Sequence, residues 1–269
     1  MTAEEKIAQV KNFRLIDDVF FEVFAEDKEA CQEILQVILE DDGLTVLDVV
    51  VQSSKRNIYG RSVRLDALCT LGNGEKCNIE VQRADNDDHF RRVRFNAASI
   101  TVKDSEPGER FEELLDLYIV YISEYDFIGG GHTAYHTDKV IRETGDHIED
   151  GLHEVYVNAE IKDGSRLSGL MDCFTQREIV DNEEFPATSK RVRELKTTEG
   201  GASAVCDIVQ KLVNEGHEKG RIEGRVEGIL DTLFSLISDG IISVADALKR
   251  TTVSPEDFQT QYQAWKANH

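Results

Sequence analysis

The chain has 269 residues, of which 40% are hydrophobic and 31% are charged, and its formal net charge is −21. This length suits one large domain, or one domain with an appendage, with enough apolar residues for a core. No apolar run approaches the roughly 20 residues that cross a bilayer, and the first residues lack a signal-peptide pattern. We therefore expect a cytoplasmic protein with no membrane partner.

The charge also limits the partners. A strongly acidic chain excludes general affinity for nucleic acid, because phosphate binding depends on Lys and Arg. Between Lys55 and Arg94, however, nine basic residues stand against six acidic ones, which permits a basic track in this stretch. Five cysteines without a CxxC spacing indicate neither a disulfide framework nor a zinc site. We expect free thiols, with a bridge between Cys69 and Cys77 as the alternative.

The first elements follow from apolar spacing. Residues 15–26 and 28–40 carry apolar side chains at i, i+3 and i+4, which predicts two helices. Residues 44–51, LTVLDVVV, predict a strand covered on both faces. Residues 61–83 alternate between apolar and polar on both sides of Gly72-Asn73-Gly74, which predicts a β-hairpin.

The length of the hairpin loop fixes which side chains face each other. Only an odd-length loop keeps the apolar residues of both strands on one face, and a three-residue loop with Gly74 in the left-handed conformation pairs Leu71 with Glu75. In this register Asp66 lies directly opposite Glu80 on a face that points outward.

Opposed carboxylates are destabilising without compensation by a shared proton or a divalent cation. An exposed face neutralised by Arg64 and Lys76 is the alternative.

The rest of the chain alternates strands and helices. Residues 85–103 predict a helix with an inward stripe of Phe90, Val93, Ala97 and Ile100. Its first turns carry Arg91, Arg92 and Arg94, which either contact phosphates or form a solvated face. Residues 114–123 predict a central strand in parallel pairing after the helical crossover. Residues 153–161 predict a strand, and residues 166–180 and 186–198 predict helices, the last beginning at Pro186.

The character of the sequence changes at residue 202. Glycine recurs every fourth residue at Gly216, Gly220, Gly224 and Gly228, and each interior glycine costs a helix about 1 kcal/mol relative to alanine. The spacing indicates either a helix that self-associates or a marginal, hinge-like helix. Residues 229–264 predict two or three short helices that contact a protein and not DNA. We expect a domain over residues 1–201 and a helical extension over residues 202–269.

The motifs resemble a known family. Asp66 followed by Glu80-Val81-Gln82 resembles the D…ExQ variant of the PD-(D/E)xK nuclease signature. Residues 15–29, 64–82, 190–201 and 216–228 are similar, in order, to parts of the recombination-promoting nucleases, which are also labelled transposases. The resemblance implies an α/β, restriction-endonuclease-like core with a mixed central sheet flanked by helices, and a helical C-terminal extension.

The resemblance also implies an activity, namely metal-dependent hydrolysis of phosphodiester bonds in DNA. Asp66, Glu80 and the Val81 carbonyl would hold Mg²⁺, for which Mn²⁺ can substitute. Gln82 stands where the superfamily usually has lysine, so it can orient water but cannot neutralise charge.

Further residues complete the implied site. Arg64 or Arg83 would supply the missing cation. Glu22 would add an acid, as in some relatives, or is an ordinary solvated glutamate. Two alternatives to the enzyme remain: an inactive nuclease fold that serves as an interaction or regulatory module, and a scaffold that acts through the glycine-striped helix as a homodimer.

Overall fold

The computed structural model describes residues 2–56, 62–83, 88–105, 107–108, 110–179 and 181–268. Its strands are β1 (Val46–Arg56), β2 (Ser62–Leu71), β3 (Lys76–Gln82), β4 (Leu117–Ser123), β5 (Ala134–Thr137), β6 (Lys139–Val140), β7 (His147–Ile148) and β8 (Leu152–Asn158). Its helices are α1 (Ala3–Val10), α2 (Asp18–Phe24), α3 (Lys28–Ile38), α4 (His89–Asp104), α5 (Arg166–Thr175), α6 (Pro186–Thr197), α7 (Glu199–Ser238), α8 (Val244–Leu248) and α9 (Pro255–Asn268).

The main sheet is mixed, as expected. Its strand order is β1-β2-β3-β4-β8-β5, with parallel pairing of β3 with β4 and of β4 with β8 and antiparallel pairing elsewhere. Helix α4 lies between β3 and β4 in the chain, because a parallel pair needs a crossover connection. Strand β4 is central, and its apolar run is buried on both faces.

Helices cover the two faces of this sheet. One hydrophobic cluster joins α2, α3, α5 and α6 to one face, through residues such as Phe20, Ile34, Phe174 and Val192. A second, smaller cluster lies under α4 on the other face, where Val93, Ala97 and Ile100 pack against Ile119 and Tyr121. The described residues therefore form the α/β core with flanking helices that the family resemblance implies.

The edge strand β1 differs from the expectation. The prediction that both its faces are covered is wrong, because Leu47 is 58% and Val50 46% exposed. The reason is its place in the sheet. Helix α4 packs over β2 and β4 and leaves one face of the edge strand open to solvent.

The helix after the hairpin is present, with one error in its inward stripe. Val93, Ala97 and Ile100 are buried as predicted, but Phe90 is 53% exposed and contacts the rings of Phe127 and Tyr156 at the edge of the cluster. The predicted first residues of this helix, 85–87, lie outside the described part of the chain.

The chain divides into two compact units, Met1–Ile208 and Val209–His269. Ala202, Val205 and Cys206, which lie beyond the expected boundary at residue 201, are buried in the first unit's core. The second unit has its own apolar cluster, formed by Leu230, Leu233, Phe234, Ala247, Phe258 and Tyr262. None of the helices in the described chain has both the length and the apolar character needed to cross a membrane.

Candidate active site

The hairpin brings the Asp66 carboxylate to the backbone of Val81, the residue after Glu80. Its paired residues are Ala67 with Ile79, Leu68 with Asn78, Cys69 with Cys77 and Thr70 with Lys76. One further step along this register would set Asp66 opposite Glu80, but the ladder ends at Ala67 and Ile79. The loop has three residues: the Leu71 amide donates to the Glu75 carbonyl at 2.9 Å, and Gly74 has a positive φ of 93°. The three-residue loop and the register are confirmed as far as Ala67 and Ile79, whereas Leu65 of β2 packs in the cluster under α4, on the other face from Ala67.

The two strands part beyond Ala67 and Ile79, which are the last pair in the ladder. The Val81 amide donates instead to the Asp66 carboxylate, with a distance of 2.9 Å between N and Oδ2. The Asp66 side chain therefore lies in the gap between the strands and satisfies a backbone donor that the ladder leaves unpaired.

Glu80 is buried, with 4% of its surface exposed. The expectation that the polar face of the hairpin points outward is wrong for this residue, because α4 covers it. Helix α4 contributes Asn96, whose Nδ2 donates to Glu80 Oε2 at 3.0 Å, and Asn78 Nδ2 lies 3.5 Å from the same oxygen. A buried carboxylate needs such donors, since burial without hydrogen bonds is costly.

Burial raises the pKa of Glu80 to about 7, while the charge of Arg92 and the amides of Asn78 and Asn96 lower it in part. The carboxyl group therefore holds a proton well above the pH at which an exposed glutamate loses it. A cation at this position would stabilise the ionised form, so the local chemistry favours either a proton or a positive ion beside Glu80.

The arginines predicted near the site have different surroundings. Arg92 forms an ion pair with Asp88 at 3.6 Å. The guanidinium of Arg83 lies 3.1 Å from Asp17 and 3.8 Å from Glu124, so it already has acidic partners. Arg91 and Arg94 are exposed on α4, and the side chain of Arg64 lies outside the described part of the chain.

Gln82 and Glu22 lie on elements next to the hairpin acids. Gln82 ends β3, and its carbonyl accepts from the Glu124 amide at 3.1 Å. Glu22 lies on α2, which contacts both β2 and β3, and is 6% exposed. The alternative that Glu22 is an ordinary solvated glutamate is therefore wrong.

Two polar residues on the buried face of α4 are not recognisable from apolar spacing alone. Asn96 and His89 are buried on the same side of α4 as Val93, and the His89 Nδ1 lies 2.8 Å from the Tyr121 hydroxyl. Burial is the main reason why the pKa of Tyr121 is raised. Residues 89, 93 and 96 have helical spacing, so the sequence does place His89 and Asn96 on the same face as Val93. An inward stripe defined by apolar residues alone leaves them out.

The donor atoms suit an oxygen-binding cation. No group of three or more His, Cys, Asp or Glu side chains that could hold a metal ion occurs within the described residues. Two carboxylates are nevertheless present, and the buried Asn78 Oδ1 has no hydrogen-bond partner there. Carboxylate and amide oxygens are the ligands that Mg²⁺ and related hard cations take, so these residues fit such an ion.

A family comparison agrees with this geometry. The model of a family described as PD-(D/E)XK nuclease family transposase matches residues 14–163, which include the hairpin and α4. The chain belongs to this family of PD-(D/E)XK nucleases. No match is found among curated proteins or solved structures. The family assignment confirms the resemblance to the PD-(D/E)xK nucleases and supports a nuclease-like function.

Proposed function

We propose that the chain is a metal-dependent DNA endonuclease that hydrolyses phosphodiester bonds, of the recombination-promoting, transposase-like type. The observation that carries this proposal is the place of the Asp66 carboxylate, which accepts from the Val81 amide, next to Glu80, at the point where the two strands part. Two acids at this position in a member of a nuclease family are the expected ligands of a catalytic cation.

The proposed ligands are Asp66, Glu80 and the Val81 carbonyl, with Mg²⁺ as the ion and Mn²⁺ as a substitute. In an antiparallel strand the N–H and C=O of one residue point to the same side. The Val81 amide donates to Asp66, so its carbonyl also faces the gap between the strands. When bound, such an ion polarises the phosphate and lowers the pKa of the attacking water.

The remaining residues bind and orient the substrate in this proposal. Gln82 orients the water, and Glu22, buried on α2, is an additional acid near the strands. Exposed Arg91 and Arg94 contact DNA phosphates, and Arg92 offsets the charge of Glu80. Because arginine–phosphate contacts release counterions, binding should weaken strongly with salt, and the net charge of −21 should keep it weak.

Plasmid nicking in Mg²⁺ tests the proposal, with isosteric variants. Asp66→Asn keeps an oxygen that can accept from the Val81 amide, and Glu80→Gln keeps the shape of the buried group. Loss of several kcal/mol of charge stabilisation predicts a rate at least about 100-fold lower for each variant. The control is Glu149→Gln, an exposed glutamate, which should cleave like the wild type. Equal cleavage by the wild type and all three variants would reject the proposal that these acids catalyse the reaction.

A second candidate is a nuclease fold that does not cut and serves as an interaction or regulatory module. Two observations favour it: Gln82 occupies the place of the usual lysine, and Arg83 is paired with Asp17 and Glu124. A folded wild-type protein that nicks DNA in neither Mg²⁺ nor Mn²⁺ would support this candidate.

We also propose that the chain forms a homodimer through α7. An added Cβ at Gly216, Gly220, Gly224 or Gly228 would meet no atom within 4 Å in the described chain. The stripe therefore has room for a second backbone.

A cytoplasmic location is proposed from the cysteines, since all five are free thiols, the state that a reducing compartment maintains.

A further inference from the structure

The carboxylate of Glu80 is held by one of its two oxygens. Asn96 Nδ2 donates to Oε2 at 3.0 Å, and Asn78 Nδ2 approaches the same atom at 3.5 Å. Among the described residues, every hydrogen bond to this side chain ends on Oε2. The other oxygen, Oε1, is therefore the one that remains for a different partner.

Asn96 stands in an unusual place for an amide. It lies on the face of α4 that packs on the sheet, next to Val93, Ala97 and Ile100, and it is 4% exposed. A buried amide costs free energy unless its hydrogen bonds are made. Within this apolar layer its described partner is Glu80, so the pair is a built contact between α4 and β3.

We propose that Asn96 is a positioning residue that fixes the Glu80 carboxylate through Oε2 and so presents Oε1 to the divalent cation. This inference rests on the proposed function, because it assigns Asn96 to the same metal site. Asn78 approaches the same oxygen, but it lies in β3 together with Glu80, so this contact stays within one strand. Asn96 instead links the carboxylate to a separate element, so the orientation of Glu80 depends on the seating of α4.

Hydrogen bonds to ligating carboxylates tune metal sites in general, and their removal typically weakens metal binding by about 10-fold to 100-fold. Without Asn96, the Glu80 side chain loses its shorter hydrogen bond and can rotate about its terminal torsion. The Glu80 carboxylate would then have to be ordered when the cation binds. The entropy lost in this ordering would lower the affinity for the cation.

The test is calorimetric titration of the full chain with Mn²⁺. Asn96→Ala should weaken binding by about 10-fold to 100-fold relative to the wild type. Asn158→Ala is the matched control, because Asn158 is also a buried amide, 2% exposed, but donates to the His132 carbonyl at 2.7 Å. This control should lose stability in urea unfolding and keep the wild-type affinity for Mn²⁺.

Asn96→Ser provides a second variant that keeps a donor on a shorter side chain, for use where the alanine variant does not fold; its affinity should also fall. Wild-type affinity in a folded Asn96 variant would overturn the inference alone. Equal weakening by Asn158→Ala would overturn it too, because a general loss of structure would then explain the effect. A wild-type protein that binds no Mn²⁺ would overturn the proposed function itself.

Discussion

Glu80 combines an ionisable side chain with almost complete burial, which makes the stability of the first unit depend on pH. Its pKa rises from 4.5 to about 7, mainly through burial. The folded protein therefore holds this proton more tightly than the unfolded chain does. The stabilisation is complete below pH 4.5 and is lost as the pH rises through about 7.

Glu80→Gln should remove this dependence, because glutamine resembles the protonated acid at every pH. Without metal, the variant and the wild type should have similar free energies of unfolding at pH 4.5, and the variant should be more stable at pH 8, by on the order of 3 kcal/mol. Urea unfolding at several pH values in EDTA measures this. The control is the surface variant Glu149→Gln, which should keep the wild-type pH dependence. If the free energy of unfolding varied with pH in the same way for the wild type and Glu80→Gln, the expected titration of Glu80 would be contradicted.

At the residue scale, the sequence was sufficient to predict the register of the hairpin up to Ala67 and Ile79, but it did not predict that Glu80 is buried. This register follows from local rules, because alternation and an odd loop keep apolar residues such as Ala67 and Cys69 on one side, although Leu65, beyond the ladder, packs on the other. The burial depends on where α4 lies, and Asn96 is close to Glu80 only in the folded chain. Alternation alone assigns a polar side chain to solvent, so it cannot recognise a polar layer beneath a helix.

At the scale of elements, the backbones of α6 and α7 lie closer to each other at Gly201 than their sequences indicate. A Cβ added to Gly201 would lie 2.6 Å from the Glu194 carbonyl oxygen and 2.6 Å from the Leu195 Cα, both backbone atoms of α6. Gly200 is the preceding residue in the same helix, and an added Cβ there would meet no atom within 4 Å in the described chain. The two glycines therefore differ only in what surrounds them.

Alanine at these two positions should have opposite effects. Gly201→Ala forces the backbones of α6 and α7 apart and should lower the free energy of unfolding by about 1–3 kcal/mol. Gly200→Ala meets no obstacle and should raise it by up to about 1 kcal/mol, because alanine is the better helix former. Urea unfolding of both variants measures the difference. Equal effects would show that the approach of α6 to α7 does not constrain the chain.

The sequence predicted which segments form helices and strands, but it did not predict which of their faces are buried by neighbouring elements. Apolar periodicity predicted α2, α3 and β4, since each pattern repeats along one face or fills both. The edge strand β1 has the same apolar composition as a central strand, yet Leu47 and Val50 are exposed. The glycine spacing indicated close approach in the stripe from Gly216 to Gly228, whereas Gly201 is the α7 glycine at which an added Cβ would meet backbone atoms of another helix. Both differences depend on neighbours that are distant in sequence.

At the scale of the whole molecule, the two units have separate hydrophobic clusters. The first unit keeps its core in residues up to Cys206, and the second buries Phe234 and Phe258 in a cluster of its own. The proposed dimer contact lies in the second unit, and the proposed active site lies in the first. Association and cleavage should therefore be separable.

Truncation after Ile208 tests this division. The full chain should be dimeric by light scattering, and the shortened chain should be monomeric, folded and still able to nick DNA. A full-length variant with Gly220→Leu and Gly224→Leu fills the stripe without removing the unit, and its mass should also fall to that of a monomer. A monomeric full chain would contradict the dimer, and a shortened chain that does not fold would contradict the independent first domain.

The spread of cysteine and tryptophan along the chain has a practical consequence. All five cysteines are buried and precede Val209, whereas the single tryptophan, Trp265, belongs to the second unit. A thiol reagent therefore times the opening of the first unit, and indole fluorescence follows the second. Two ordinary spectroscopic signals, recorded on one unlabelled sample, would reveal whether denaturant melts the halves together or in turn.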